Sequence, residues 1–199
     1  RLLFAYESGI FPWYSAGVPP LWWSPNPRAL MDRERLHVSR SLRRTLRHGP
    51  FEVTFDRAFS QVIDACASNR EGGTWILPEM MLAYTQLHEL GHAHSFEVWH
   101  DGQLAGGLYG VRCGALFAAE SMFHVVTDAS KVALAVSLDT LFRAGIQLFD
   151  VQFVTEHLGS LGAFEVERTE YLAQVARATP QQVQASAIAA ALDGWAERF

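Results

Sequence analysis

Three polar side chains interrupt stretches that otherwise read as buried strand. Glu120 stands in Phe117-Ala118-Ala119-Glu120-Ser121-Met122-Phe123, and Asp150 and Gln152 stand two apart in Leu148-Phe149-Asp150-Val151-Gln152-Phe153-Val154. Strand positions two apart share a face, so Asp150 and Gln152 project together while Phe149, Val151 and Phe153 project the other way. A carboxylate among apolar neighbours is costly unless paired. Two carboxylates and an amide gathered in this way suit a site that handles an amine or an ester. They also suit a structural hydrogen-bond network, which the residues by themselves slightly favour.

Three further patterns carry possible chemistry. His88-Glu89-Leu90-Gly91-His92 matches the H-E-x-x-H zinc signature. That chemistry needs both histidines on one continuous helical turn. Gly91 is a poor interior helix residue and a good helix stop, which predicts that His92 lies beyond the helix, in a turn, and no third ligand follows from spacing. Gly106-Gly107-Leu108-Tyr109-Gly110 lies inside an alternating strand, not between a strand and a helix, so it is no phosphate loop. Such glycines mark either a bulge or a close backbone approach by a ligand. Arg40, Arg43, Arg44 and Arg47 fall at i, i+3, i+4 and i+7, one stripe of a helix. Like charges so spaced repel unless a polyanion neutralises them; a solvated helix face is the other reading.

The elements that must position these residues follow from periodicity and punctuation. Residues 1–27 are rich in proline and aromatic rings and predict a fixed loop. A helix is predicted over 39–48, capped by Ser39 or Ser41. A strand follows over 51–55, then helices through Val62, Ile63 and Cys66 and from Pro78 to Leu90. Strands 93–100 and 104–112 are joined by Asp101-Gly102, a strong hairpin signal. A strand over 116–123, a helix over 129–144 ending at Gly145, and a strand over 148–155 come next. The pattern closes with a short strand near 164–168 and a helical tail over 179–194. This order predicts an α+β fold with a mostly antiparallel central sheet.

Composition sets the outer limits. The chain has 199 residues, 49% hydrophobic and 19% charged, which excludes wholesale disorder. Cys66 and Cys113 cannot form a disulfide scaffold, and a reducing compartment fits best. The longest charge-free stretch, 8–27, holds five of the eight prolines and so is no membrane helix. No signal peptide opens the chain; it begins at Arg1 inside an apolar run, so a preceding segment is expected. Net charge is −5, yet residues 28–48 carry seven arginines against Asp32 and Glu34, a net +5 that leaves −10 elsewhere. That asymmetry predicts a basic face on an acidic body, able to hold a polyanion. Only Lys131 of the 16 basic residues is a lysine, and arginine suits bidentate phosphate contacts.

Taken together, several blocks resemble one family, the leucyl/phenylalanyl-tRNA–protein transferases. They are Gly9-Ile10-Phe11-Pro12-Trp13, Trp22-Trp23-Ser24-Pro25-Asn26-Pro27-Arg28, Ser39-Arg40-Ser41, Gly73-Thr74-Trp75-Ile76 and Ala83-Tyr84. They continue with Leu87 to Ser95, Glu97-Val98-Trp99, the glycine-rich strand, Glu120-Ser121-Met122-Phe123, Ala129-Ser130-Lys131, Asp150-Val151-Gln152, and His157-Leu158-Gly159-Ser160-Leu161-Gly162. The resemblance absorbs the H-E-x-x-H into a family motif that is no zinc site. It implies a truncated small N-terminal domain over 1–27, followed by an acetyltransferase-like (GNAT) domain over 28–199. The implied reaction moves Leu or Phe, and Met less well, from aminoacyl-tRNA to proteins with N-terminal Arg or Lys. The product is an N-degron read by bacterial proteolysis in the cytoplasm.

The ester of a charged tRNA is already activated, so neither cofactor nor metal is expected. Catalysis then reduces to holding an amine at an ester carbonyl, keeping it deprotonated and stabilising developing charge. The resemblance puts Asp150 and Gln152 at that centre. Asp150 would orient Gln152 and favour loss of the amine's proton, and Gln152 would hydrogen-bond the attacking nitrogen. Glu120 would bind the amino end of the aminoacyl group or its ribose. In the alternative, the carboxylates recognise the acceptor's basic side chain. Trp13, Trp75 and Tyr84 stand at family positions suited to stacking the terminal adenine or walling the site. Phe117, Met122 and Leu108 are the candidates for the Leu/Phe pocket, although core packing would use the same residues. Trp22 and Trp23 are expected in the core. Arg40, Arg43, Arg44 and Arg47 become the site for the acceptor-stem backbone, reading phosphates and not bases. Two rivals remain at this point: an acyl-CoA-dependent N-acetyltransferase, and a non-catalytic RNA-binding module. The first lacks a pyrophosphate loop, its place being held by Thr127 to Lys131, and the second leaves Glu120, Asp150 and Gln152 unused.

Overall fold

A computed structural model describes residues 1–68 and 75–199. Gly73 and Thr74, named above in one family block, lie outside the described residues. The chain opens with helix α1 (Leu2–Glu7) and a short hairpin, β1 (Phe11–Pro12) and β2 (Trp22–Trp23). Next come β3 (Arg28–Met31), α2 (Arg40–His48), β4 (Phe51–Phe55), α3 (Phe59–Ser68) and α4 (Pro78–Glu89). A meander of β5 (Ala93–His100), β6 (Gln103–Cys113) and β7 (Leu116–His124) leads to α5 (Ala129–Arg143) and β8 (Leu148–Gln152). Then follow α6 (Glu156–Ser160), β9 (Phe164–Val166), α7 (Arg168–Ala178), α8 (Ala185–Leu192) and a 3-10 turn (Trp195–Arg198).

Seven strands form one sheet in the order β4-β5-β6-β7-β8-β3-β9. Every neighbouring pair is antiparallel except β7 with β8, which run parallel. The fold is therefore α+β with a mostly antiparallel central sheet. Helices cover both faces. A Cβ on Gly106 would lie 2.7 Å from the Ala129 side chain of α5, and one on Gly107 would lie 3.3 Å from Val62 of α3. Successive strand residues point to opposite faces, so α5 and α3 lie on opposite sides of β6.

The differences from expectation are instructive. Residues 1–27 hold a helix and a hairpin where a loop was expected, because Leu2–Glu7 contains good helix formers and no proline. Trp22 and Trp23 are not core: they are 47% and 41% exposed, on a hairpin at the rim. β3 and α7 were not anticipated. All four residues of β3 are buried, so it shows no alternation to read. The strand expected over 148–155 stops at Gln152, whose φ of 62° breaks the ladder. The helical tail is shorter than expected, beginning at Ala185.

Two irregularities fix the site. The β7–β8 pairing covers only Leu116↔Leu148, Phe117↔Phe149 and Ala118↔Asp150; beyond it the parallel strands part. On β7, Tyr109↔Ser121 is followed by Gly110↔Ala119, which leaves Glu120 as a bulged residue. On β8, Ala29↔Gln152 is followed by Leu30↔Asp150, which leaves Val151 bulged. Bulges re-aim side chains, and these two lie on either side of the gap between the strands.

Candidate functional site

A cavity of about 460 Å³ occupies that gap. Trp13, Trp75, Leu108, Met122, Phe153 and Leu158 line it, with Glu120 and Gln152 among the polar contributors. An apolar hollow with a few convergent polar groups is the usual form of a small-molecule site. Trp13 packs against Trp23 at 5.9 Å and Phe153 at 5.5 Å between ring centroids, and the Trp23 indole N–H donates to Trp13 O at 2.7 Å. The exposed Trp23 thus braces the ring that lines the cavity.

Asp150 is fully buried and does not line the cavity. Its Oδ1 accepts from Arg28 Nε at 2.8 Å and from the Gln152 backbone N–H at 2.9 Å. Its Oδ2 accepts from Arg28 Nη2 at 2.6 Å and from the Tyr171 hydroxyl at 2.9 Å. A carboxylate has about four lone-pair positions, so Asp150 is saturated. Arg28 is itself held between two rings, 4.8 Å from the Phe11 centroid and 4.4 Å from that of Tyr171. Burial, the largest single influence, works to lower the Arg28 pKa, but the charge and hydrogen bonds of Asp150, with Tyr171 and Glu120, together outweigh it and the net shift is upward. Burial, then the charge of Asp150, push the Tyr171 phenol up, so it stays a donor. This cluster holds Gln152 in its left-handed backbone conformation. The Gln152 Nε2 is buried with no hydrogen-bond partner among the described residues.

Glu120 occupies the other wall. Its Oε2 accepts from the Tyr84 hydroxyl at 2.9 Å, and the Tyr84 and Tyr6 hydroxyls are hydrogen-bonded at 2.8 Å. Its Oε1 is buried with no hydrogen-bond partner among the described residues. Burial pushes the Glu120 carboxyl up from 4.5 to about 7; the nearby Tyr6 and Tyr84 hydroxyls oppose the shift, Asp150 adds to it and Arg28 opposes it. Both phenols are raised well above their ordinary value, chiefly by burial. Neither Arg28, Tyr6 nor Tyr171 was singled out in the sequence. Arg28 had been counted as part of a basic face, and the tyrosines carried no local signal.

The other expected residues are distributed as follows. Leu108 and Met122 line the cavity. Tyr84 is fully buried behind Glu120 and does not line it. Phe117 lies outside it too, packed on Phe149 at 5.5 Å. Among the described residues no group of three or more His, Cys, Asp or Glu side chains is placed to hold a metal. Gly91 (φ 77°) lies past the end of α4, and His92 lies beyond it. His88 stacks on Phe59 at 4.3 Å, and its Nδ1 lies 2.9 Å from Ala93 O. His94 pairs with Asp56 at 2.6 Å. The strand glycines answer to packing, since a Cβ on Gly110 would meet Ala118 O at 2.4 Å.

The basic window resolves into two populations. Arg28 pairs with Asp150, Arg33 with Asp139 at 3.0 Å, and Arg35 with Asp32. Arg40, Arg43, Arg44 and Arg47 stand exposed on α2, which buries Leu42 and Leu46. Ser39 caps this helix by accepting from the Leu42 N–H at 3.2 Å. Among the described residues, Arg43 alone of the four makes a side-chain hydrogen bond, donating to Phe199 O at 2.7 Å. The surplus positive charge is therefore concentrated on one helix and not spread over the whole window.

The family model described as leucyl/phenylalanyl-tRNA protein transferase matches residues 30–176, and the model of that family's N-terminal domain matches residues 1–26. The chain is 54% identical over 172 residues to the leucyl/phenylalanyl-tRNA--protein transferase of Escherichia coli O81 (strain ED1a), covering 86% of this chain and 74% of that protein. It is 53% identical over 186 residues to the protein of the same name from Syntrophobacter fumaroxidans (strain DSM 10017 / MPOB), covering 92% and 80%. A solved structure of a GCN5-related N-acetyltransferase-like protein from Streptococcus suis 89/1591 is similar at 14% identity and a TM-score of 0.39, covering 81% of this chain and 61% of that one. With matches of this extent, the chain belongs to the leucyl/phenylalanyl-tRNA protein transferase family and is an aminoacyltransferase.

Proposed function

We propose that this chain transfers Leu or Phe, and Met less well, from aminoacyl-tRNA to the α-amino group of proteins beginning with Arg or Lys. The product is an N-degron for cytoplasmic proteolysis. The observation that carries this reading is the apolar cavity with one orphan donor, Gln152 Nε2, and one orphan acceptor, Glu120 Oε1, in a member of this family. An apolar side chain and an ester need such a site: a greasy recess with a few hydrogen-bonding groups at the reacting end.

Trp13 and Trp75 stack the terminal adenine, and Leu108 and Met122 shape the recess for the amino-acid side chain. Phe117 and Tyr84 act from behind, by packing and by holding Glu120. Gln152 hydrogen-bonds the reacting groups, and Asp150 positions it through its backbone. Arg40, Arg44 and Arg47, with Arg43, receive the phosphates of the acceptor stem. Use of an acyl-CoA donor is disfavoured at the start of α5, where Asp128 holds the N-cap position without a side-chain cap hydrogen bond and pairs with Lys131 at 2.9 Å, a carboxylate at the helix end a pyrophosphate would need.

The test is transfer of labelled phenylalanine from charged tRNA to a peptide starting with Arg, with acetyl-CoA as the control donor. Transfer from tRNA alone is expected, and transfer from acetyl-CoA alone refutes the reading. Asp150→Asn keeps the shape but sets an amide against donors on every side, so the single-turnover rate falls steeply; an unchanged rate removes Asp150 from any role in positioning.

A further inference from the structure

An amine attacks an ester only as the free base, so something in the cavity must take the ammonium's proton. Asp150 is excluded, because all its lone-pair positions are filled and it does not reach the cavity. The Gln152 amide is no base, and among the described residues no histidine lines the cavity. Of the described lining residues, that leaves Glu120. We propose that Glu120 Oε1 is the proton acceptor for the terminal ammonium of the acceptor protein. The inference rests on the functional reading above and assigns the group that activates its nucleophile.

The geometry is specific. Glu120 is the bulged residue of β7, so its carboxyl is turned out of the ladder toward the gap between β7 and β8. Oε2 is pinned from behind by Tyr84, itself linked to Tyr6, which leaves Oε1 as the one oxygen available to a ligand. The groups that face it are Tyr6 from α1, Tyr84 from α4, Asp150 from β8 and Arg28 from β3. Burial and Asp150 resist ionisation, while the two phenols and Arg28 favour it, and the balance lies at about 7. A terminal α-ammonium titrates near ~7.7–8.0. A base matched to its donor in this way is both ionised and basic enough at neutral pH.

The step balances as follows. The ammonium gives one proton to Oε1, and the freed lone pair attacks the ester carbonyl carbon, forming the new C–N bond. As the adduct collapses, the ester C–O bond breaks and the second ammonium proton passes to the departing ribose oxygen. Glu120 then releases its proton to water. The orphan Gln152 Nε2–H faces the carbonyl oxygen, where negative charge develops.

The experiment compares the parent with Glu120→Gln, single turnover, from about pH 5.5 to 9, where the base and the amine titrate. One acceptor is the Arg-peptide; the other carries a terminal α-hydrazino nitrogen, already unprotonated near neutrality. On the amine, the variant is expected to lose about 10²-fold in rate, and its remaining rate follows only the amine's own ionisation. On the hydrazino acceptor, parent and variant run within a few-fold of each other. An equal loss on both acceptors overturns the proposal, since Glu120 would then bind or shape and not take a proton. A rise in KM with kcat unchanged also overturns it and makes Glu120 a recogniser of the basic side chain. A parent inert toward both acceptors refutes the functional reading itself.

Discussion

Glu120→Gln also tests the electrostatics of the site with no substrate present. Burial raises the Glu120 carboxyl from 4.5 to about 7, so the folded state binds its proton more tightly than the unfolded chain does. Stability from this group is full below the unfolded value and is lost as pH rises toward about 7. At about 1.36 kcal/mol per pH unit, the loss comes to roughly 3 kcal/mol. Glutamine keeps the size and the acceptor for the Tyr84 hydroxyl, but does not titrate. The stability gap between variant and parent therefore widens in the variant's favour by about 3 kcal/mol across this range, or roughly 6–12 °C in Tm for a chain of this size. Urea unfolding of both proteins at a series of pH values measures it, because every other titration cancels in the difference. Parallel stability curves refute the reasoning and place the Glu120 carboxyl near its ordinary value in the folded state.

Other outcomes follow from the packing and the charges. Arg28→Met strands Asp150 as an unpaired buried charge and costs about 3–5 kcal/mol by urea denaturation. Gly106→Ala drives a Cβ to 2.7 Å from Ala129 Cβ and 3.0 Å from Phe123 O, costing about 1–3 kcal/mol in the same assay. Removing Arg40, Arg44 and Arg47 together lowers the salt slope of tRNA affinity by about 2 or more. Arg33→Ala leaves that slope unchanged, because Arg33 is already committed to Asp139.

The legible part of the fold was local. Asp101-Gly102 takes positive φ at both residues, as its hairpin signal required, and the pairing of β5 with β6 starts from it at His100↔Gln103. The cap at Ser39 and the stop at Gly91 were equally readable, since each is decided by a few neighbouring atoms. β3 was not readable, because four residues buried on both faces leave no period, and Arg28 looks like a surface charge until Asp150, 122 positions later, is placed against it. The site was legible as a composition: Glu120, Asp150 and Gln152 stood out as polar groups in apolar strands. Their division of labour was not. It depends on two bulges and on Tyr6, Tyr84 and Tyr171, all contributed by segments distant in sequence. Phe117 and Met122, five residues apart on β7, show the same limit: the bulge at Glu120 brings both to one face of the sheet, and Phe117 lies where β7 still pairs with β8 while Met122 lies beyond, at the gap.

The position of β3 in the sheet has a consequence for synthesis. This strand leaves the ribosome early, yet both its neighbours, β8 and β9, are made more than a hundred residues later. Contacts so distant in sequence form late and slowly. Until residue 150 has emerged, Arg28 has no counter-ion and Gln152 no scaffold. A nascent chain can thus complete the meander of β4 to β7 while the proposed acyl-transfer centre does not yet exist. Two fragments divided between α5 and β8 carry complementary halves of that centre, and neither alone holds a competent one.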